Sequence, residues 1–280
     1  MPVPWSTYRQ HVQSFWRYFY SAQTRYDVHS PFLSKWVEAV LEDRRDFYIF
    51  DEAEIIRHYW LNYVQQEIDF TTDHGAGSRA GQGGVRSVKD IVRTSAVDPE
   101  TARRLFRIAH FHQPKTILEL GTNLGMSALY LQAACKYDHF ITIEGHPALA
   151  NLAKASFERA KKPLPDLRIG TFADLLPKAL NDLKQVDLAW IDGDHRYEPT
   201  IRYFEQLLPY LTESSVVIIG DIHWSEEMSK AWKVLQNHKR VTLSVDLYHL
   251  GVLFFRPQQL QSEHFTLIPQ RYKPWRLGFF

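Results

Sequence analysis

From residue 115 onward, short runs of apolar and β-branched residues alternate with longer amphipathic stretches. The runs are 116–118, 140–143, 167–169, 186–191 and 216–219. Unbroken apolar runs predict strands buried on both faces, as in a parallel sheet covered by helices. The intervening segments are long enough for right-handed crossovers. After a helix over 226–238, Val241, Leu243, Val245 and Leu247 alternate along 241–248, and a second run covers 250–256. The short link at His249 and Leu250 predicts an antiparallel pair closing the sheet.

The first 70 residues carry no strand-like alternation and read as helices over 6–22, 31–43 and 52–66. Ser30 followed by Pro31 is an N-cap and N1 signature, and Asp98-Pro99 repeats it at the start of a helix over 99–112. A further helix is expected over 86–95. Between these lies Asp-His-Gly-Ala-Gly-Ser-Arg-Ala-Gly-Gln-Gly-Gly at 73–84. It has no preceding strand and no P-loop Gly-Lys ending, so a linker and a lid over a cleft stand as equal readings. The expected organisation is a helical extension with its glycine loop over 1–84 and a sheet domain over 85–280.

Composition narrows the function. Thirty-three Lys and Arg balance 32 Asp and Glu, which gives no field to hold a polyanion. The N-terminus lacks the pattern of a signal peptide, and no apolar run of about 18 residues occurs. One cysteine, Cys135, precludes an internal disulfide and suits a reducing cytoplasm. A soluble cytoplasmic protein is expected. The abundant early Trp and Tyr read as packing against the main domain or a sister subunit, with a substrate wall as the sharper alternative.

The first strand ends in Glu119-Leu120-Gly121-Thr122-Asn123-Leu124-Gly125-Met126-Ser127 and a helix follows. A strand, a glycine turn and a helix N-terminus bring backbone N–H groups close to a ligand. The spacing is not that of a dinucleotide loop, and a carboxylate at the strand end suits a cationic ligand better than a pyrophosphate. Glu144 ends the next strand, where it can accept from both hydroxyls of a ribose. Asp192 and Asp221 end the fourth and fifth strands, with Asp194, His195 and His223 close behind. Such a set can hold a hard cation and remove a hydroxyl proton.

Glu-x-Gly-x-x-x-Gly, an acid after the following strand, and Trp190-Ile191-Asp192-Gly193-Asp194-His195 together resemble the class I S-adenosylmethionine-dependent methyltransferases. Within them the chain is similar to small-molecule O-methyltransferases related to catechol O-methyltransferase, in a bacterial branch carrying Asp-Gly-Asp-His. The resemblance covers about residues 85–256. It implies a Rossmann-like, doubly wound α/β sheet of seven strands in the order 3-2-1-4-5-7-6, with strand 7 antiparallel. It implies S-adenosyl-L-methionine as cofactor, contacted from Glu119, Gly121, Thr122, Asn123, Gly125, Ser127, Glu144, Phe172 and Asp192. Catechol-type relatives hold a divalent metal ion on acids matching Asp192 and Asp221, but Ile222 stands where they carry Asn; the expectation is a metal with His223 compensating, and the alternative is no metal, with His195 or His223 as base alone. Asp194 and His195 are the candidate catalytic pair. No Asn-Pro-Pro-Tyr or Asp-Pro-Pro-Tyr motif occurs, which favours oxygen over planar nitrogen as acceptor. The expected substrate is a small-molecule hydroxyl, with a homodimer as a compatible state. RNA or protein as acceptor, and a non-catalytic binding protein on the same fold, are the alternatives.

Overall fold

The computed structural model describes residues 5–70, 84–257 and 262–276. The glycine-rich segment expected as linker or lid lies, apart from Gly84, outside the described residues. Three helices come first: α1 (Trp5–Ser21), α2 (Pro31–Val40) and α3 (Tyr48–Asn62). The α2 helix opens at its sequence signature, with Pro31 in its first turn and Ser30 Oγ accepting from the Leu33 N–H. By contrast, α3 opens four residues ahead of its expected start and has no side-chain cap. Its anchor is apolar, since Phe47 packs on Phe50 and Phe106 at ring distances of 5.4 and 4.6 Å. Two three-residue strands, β1 (Glu67–Asp69) and β2 (Val85–Ser87), pair antiparallel. They correct the expectation of a strand-free N-terminal region; three residues are too few to show alternation. Helices α4 (Val88–Thr94) and α5 (Pro99–His112) follow, and Asp98 caps α5 through the N–H groups of Glu100 and Thr101.

The alternating half then runs β3 (Thr116–Leu120), α6 (Met126–Ala134), β4 (His139–Glu144), α7 (Pro147–Ala160), β5 (Asp166–Ile169), α8 (Phe172–Leu183), β6 (Val186–Ile191), α9 (Tyr197–Leu207) and β7 (Leu211–Gly220). It ends with α10 (Glu226–Gln236), β8 (Leu243–Asp246), β9 (Leu250–Phe254) and β10 (Glu263–Thr266). The sheet order is β10-β8-β9-β7-β6-β3-β4-β5, with β9 antiparallel to both neighbours. Read from β5 to β8, this is the expected seven-strand order. The additional edge strand β10 runs parallel to β8, and its end is tied to the N-terminal region by Gln23 N to Thr266 O at 2.8 Å and Ile268 N to Gln23 O at 2.9 Å.

Successive strand residues face opposite layers. Ile117, Leu188, Trp190 and Ile218 pack with Leu33, Trp36, Phe50 and Trp60, so α2 and α3 share the core of the sheet. Leu118, Leu120, Ala189 and Ile219 face the other layer, built from α8, α9 and α10. Among the described residues no helix is long and apolar enough to cross a membrane. Cys135 is a packing residue, its thiol pushed up to about 11 by burial.

Candidate active site

The turn after β3 is dictated by close approach. Gly121 has φ +100°, and a Cβ there would lie 2.5 Å from the Asp192 carbonyl oxygen, so the loop rests directly on the end of β6. Asn123 takes the left-handed region at φ 50°. Its own N–H donates to Glu144 Oε2 at 2.7 Å, and its Nδ2 donates to Ser95 O at 3.0 Å. Glu144 Oε1 accepts from His146 N at 2.9 Å. Two backbone N–H groups therefore orient this carboxylate at the end of β4, and it lines a cleft of about 350 Å³.

Glu119 and Gly125 lie behind the wall of that cleft rather than in it. Glu119 is wholly buried; it accepts from Ser127 Oγ at 2.5 Å and from Thr142 Oγ1 at 2.6 Å. Burial pushes its carboxyl up to about 7, against the pull of these two hydroxyls. Gly125 caps α6 at φ +78°, and its Cβ would meet Phe157 and Ala153 of α7 at 3.1 and 3.3 Å. Both residues hold the loop and α6 in place from below.

Gly121, Thr122, Asn123, Ser127, Glu144, Phe172 and Asp192 do line the cleft, as do Asp194 and His195. Phe172 opens α8 and meets Tyr203 edge-on at 5.7 Å. Sequence reasoning missed Phe70, the 95–97 segment, His146, Arg202 and Tyr203, which also line it. Phe70 and His146 face each other at 4.6 Å, and His146 Nε2 lies 3.1 Å from Asp69 O, so the small β1–β2 sheet closes one side. No local motif marks these residues; only the fold brings them together.

Beyond the cleft, Asp192, His195 and Asp221 converge. His195 Nε2 lies 3.6 Å from Asp221 Oδ2 and 3.9 Å from Asp192 Oδ1, and one ligand atom from each residue fits within 4.8 Å. Ligands about 2.1 Å from one ion are separated by distances of this order. The residues fit a divalent cation, and an imidazole with two carboxylates suits manganese, iron or zinc better than magnesium. Asp192 also walls a second cavity of about 30 Å³ with Asp221 and Asp98, so cleft and cluster adjoin.

Two expected roles are corrected. His223 does not join the cluster: its Nε2 lies 2.7 Å from Asp246 Oδ2, and its ring stacks on Tyr248 at 5.4 Å. The cause is the turn after β7, where Asp221 adopts φ 55° and Trp224 N donates to Asp221 O at 2.9 Å, so the chain is not extended. The third ligand position falls to His195 instead. Asp194, at φ 55°, accepts from Arg196 Nε at 2.5 Å and from the Tyr203 hydroxyl at 3.1 Å. Its two oxygens are thus engaged within the loop and with α9, and it stands outside the Asp192–His195–Asp221 cluster. Ile222 is buried in the core, in line with its loss as an oxygen ligand.

Residues 118–222 match the family model described as a methyltransferase domain. A catechol O-methyltransferase from Niastella koreensis is 31% identical over 129 residues, 45% of this chain. The chain spans only 57% of that relative's length. Among solved structures, the O-methyltransferase TomG from Streptomyces achromogenes, in complex with SAM, superposes with a TM-score of 0.54 at 17% identity, covering 79% of this chain and 94% of that one. An O-methyltransferase from Bacillus cereus in complex with SAH gives 0.50 at 16% identity, covering 79% and 96%. The fold is that of the class I methyltransferases.

Proposed function

We propose that this chain, with its methyltransferase-family match over 118–222, is an S-adenosylmethionine-dependent O-methyltransferase acting on a small-molecule hydroxyl in the cytoplasm. The observation that carries the reading is adjacency. The cleft over the Gly121–Ser127 turn, with Glu144 fixed by two backbone N–H groups, shares Asp192 with the Asp192–His195–Asp221 cluster. S-adenosylmethionine, when bound, supplies an electrophilic methyl group for in-line attack by the acceptor oxygen, and needs no covalent enzyme intermediate.

Glu144 and Phe172 both line the cleft; Glu144 would accept from the ribose hydroxyls of the cofactor, and Phe172 would offer an apolar ring to its adenine. The buried Glu119 network keeps the turn rigid, so little ordering cost is left to binding. On the acceptor side, with no cation bound, His195 Nε2 stands where it can take the hydroxyl proton. Asp192, Asp221 and His195 would hold a divalent cation, whose charge favours the ionised form of a coordinated hydroxyl. The single cysteine supports the cytoplasmic placement. An RNA acceptor finds no support in the near-neutral charge.

Calorimetry with S-adenosylhomocysteine, and methyl transfer to a panel of catechols, phenols and sugars, tests the reading. Binding and turnover with at least one hydroxyl acceptor are expected. Binding without turnover on any acceptor would favour a non-catalytic protein on the same fold.

A further inference from the structure

The methyl-transfer cleft leaves a second concave site unexplained, on the far part of α5. Glu100, Arg103, Arg104 and Arg107 recur at i, i+3, i+4 and i+7, which places them on one helix face. Ordinarily such a face is solvated. Here the 41–46 segment and Arg271 cover it and leave a pocket of about 140 Å³ that shares no residue with the cleft. The side chains of Arg104 and Arg107 are only 11% and 10% exposed. The guanidinium groups of Arg103 and Arg107 each lie 5.2 Å from the Phe50 ring centre, so one aromatic ring holds both.

The charges around the pocket do not balance. Five arginines, Arg44, Arg103, Arg104, Arg107 and Arg271, line it against three acids, Asp43, Asp46 and Glu100. Glu100 is shared by Arg104 at 3.1 Å and Arg271 at 2.8 Å. Both oxygens of Asp43 are taken by Arg45, which leaves Arg107 Nε 3.9 Å away. The buried Nε atoms of Arg103 and Arg107 have no hydrogen-bond partner among the described residues. Guanidinium forks match tetrahedral oxyanions well.

We infer that this pocket is a second ligand site, which binds a phosphate-class oxyanion against Arg103 and Arg107. A dianion offsets the excess of two positive charges, and the volume suits one phosphoryl group. The source is free phosphate or the terminal phosphate of a small metabolite whose remainder stays outside. The inference does not depend on the methyl-transfer reading.

The test is a titration of the full chain with inorganic phosphate at low salt, followed by calorimetry or phosphorus NMR. Saturable binding to one site is expected, unchanged when S-adenosylhomocysteine is added. Arg103→Gln and Arg107→Gln should each weaken it by about tenfold. Asp46→Asn, a change at an exposed position that leaves the fold alone, should tighten it by about threefold. A nucleoside diphosphate that binds more tightly than phosphate identifies a metabolite as the source; equal affinity identifies free phosphate. Absence of saturable binding, affinity unmoved in both Arg103→Gln and Asp46→Asn, or displacement by S-adenosylhomocysteine would each overturn the inference.

Discussion

The β3–β4 side of the site and the β6–β7 side are assembled from different lengths of chain. On the first, Glu119, Asn123, Ser127, Thr142 and Glu144 lie within 26 residues, with Glu119 bonded to Ser127 and Thr142 and Glu144 to Asn123. On the second, Asp192 and His195 meet Asp221 from the next strand, beside Asp98 from a helix far earlier in the chain. A local network settles its own geometry from its own sequence. A site gathered from separate segments depends on how each loop turns. If the two sides also divide the work, one binding the cofactor and the other activating the acceptor, then substitutions should separate affinity from turnover.

Asp221→Ala should give the largest effect. It removes one of the two carboxylates facing His195, and turnover should fall by about 10³-fold. Affinity for S-adenosylhomocysteine should stay within about threefold, because Asp221 lines the small cavity and not the cleft. Chelation followed by metal add-back should mimic the variant. Full turnover in both the chelated protein and Asp221→Ala would remove the metal and leave His195 acting alone.

Glu119 probes the other side through stability. Its folded carboxyl titrates at about 7 against an ordinary value of 4.5, so the neutral form is favoured by folding. The contribution is fully present below about pH 4.5 and is lost as pH rises through about 7. The wild type should therefore lose ~3 kcal/mol of unfolding free energy across that window from this group alone. Glu119→Gln keeps the neutral shape and should flatten the profile in urea unfolding measured from pH 5 to pH 8. Parallel profiles for the two proteins would mean that Glu119 is ionised in the folded state throughout.

Two narrower changes sharpen the division. His195→Gln should lower turnover by about 10²-fold with cofactor affinity kept. Glu144→Ala should do the reverse, weakening S-adenosylhomocysteine by about 30-fold in calorimetry while turnover at saturation stays within a few-fold. Equal losses of affinity and turnover in both variants would erase the distinction between the sides.

The same contrast governs what the sequence makes legible. The strands are readable because both faces of β3, β6 and β7 are buried, which writes unbroken apolar runs into the chain; their order follows from the family resemblance alone. The cofactor side is readable because its glycine turn and terminal carboxylates are contiguous. Short elements escape: β1, β2 and β10 have too few residues for a period, and α3 opens on the apolar contacts of Phe47 rather than a polar cap. Phe70 and Tyr203 reach the cleft through tertiary packing alone. Histidine assignment fails for a backbone reason, since φ 55° at Asp221 turns the chain where extension would have carried His223 alongside the carboxylates.

That failure sets the smallest and most discriminating test. His223 lies against Asp246 at 2.7 Å and under Tyr248, which also packs on Tyr18 and Phe15 of α1, so its contacts tie the β7 turn to the N-terminal helix. His223→Gln keeps a hydrogen-bond donor near Asp246 but loses the ring stack. It should cost about 1 kcal/mol of stability, read by urea unfolding, with turnover within about threefold of wild type. Set beside His195→Gln, the two variants exchange roles cleanly: one loses turnover with its fold intact, the other loses a little stability with its chemistry intact. The opposite pattern, with His223→Gln inactive and His195→Gln active, would return the third ligand position to His223 and require the β7 turn to open in the working enzyme.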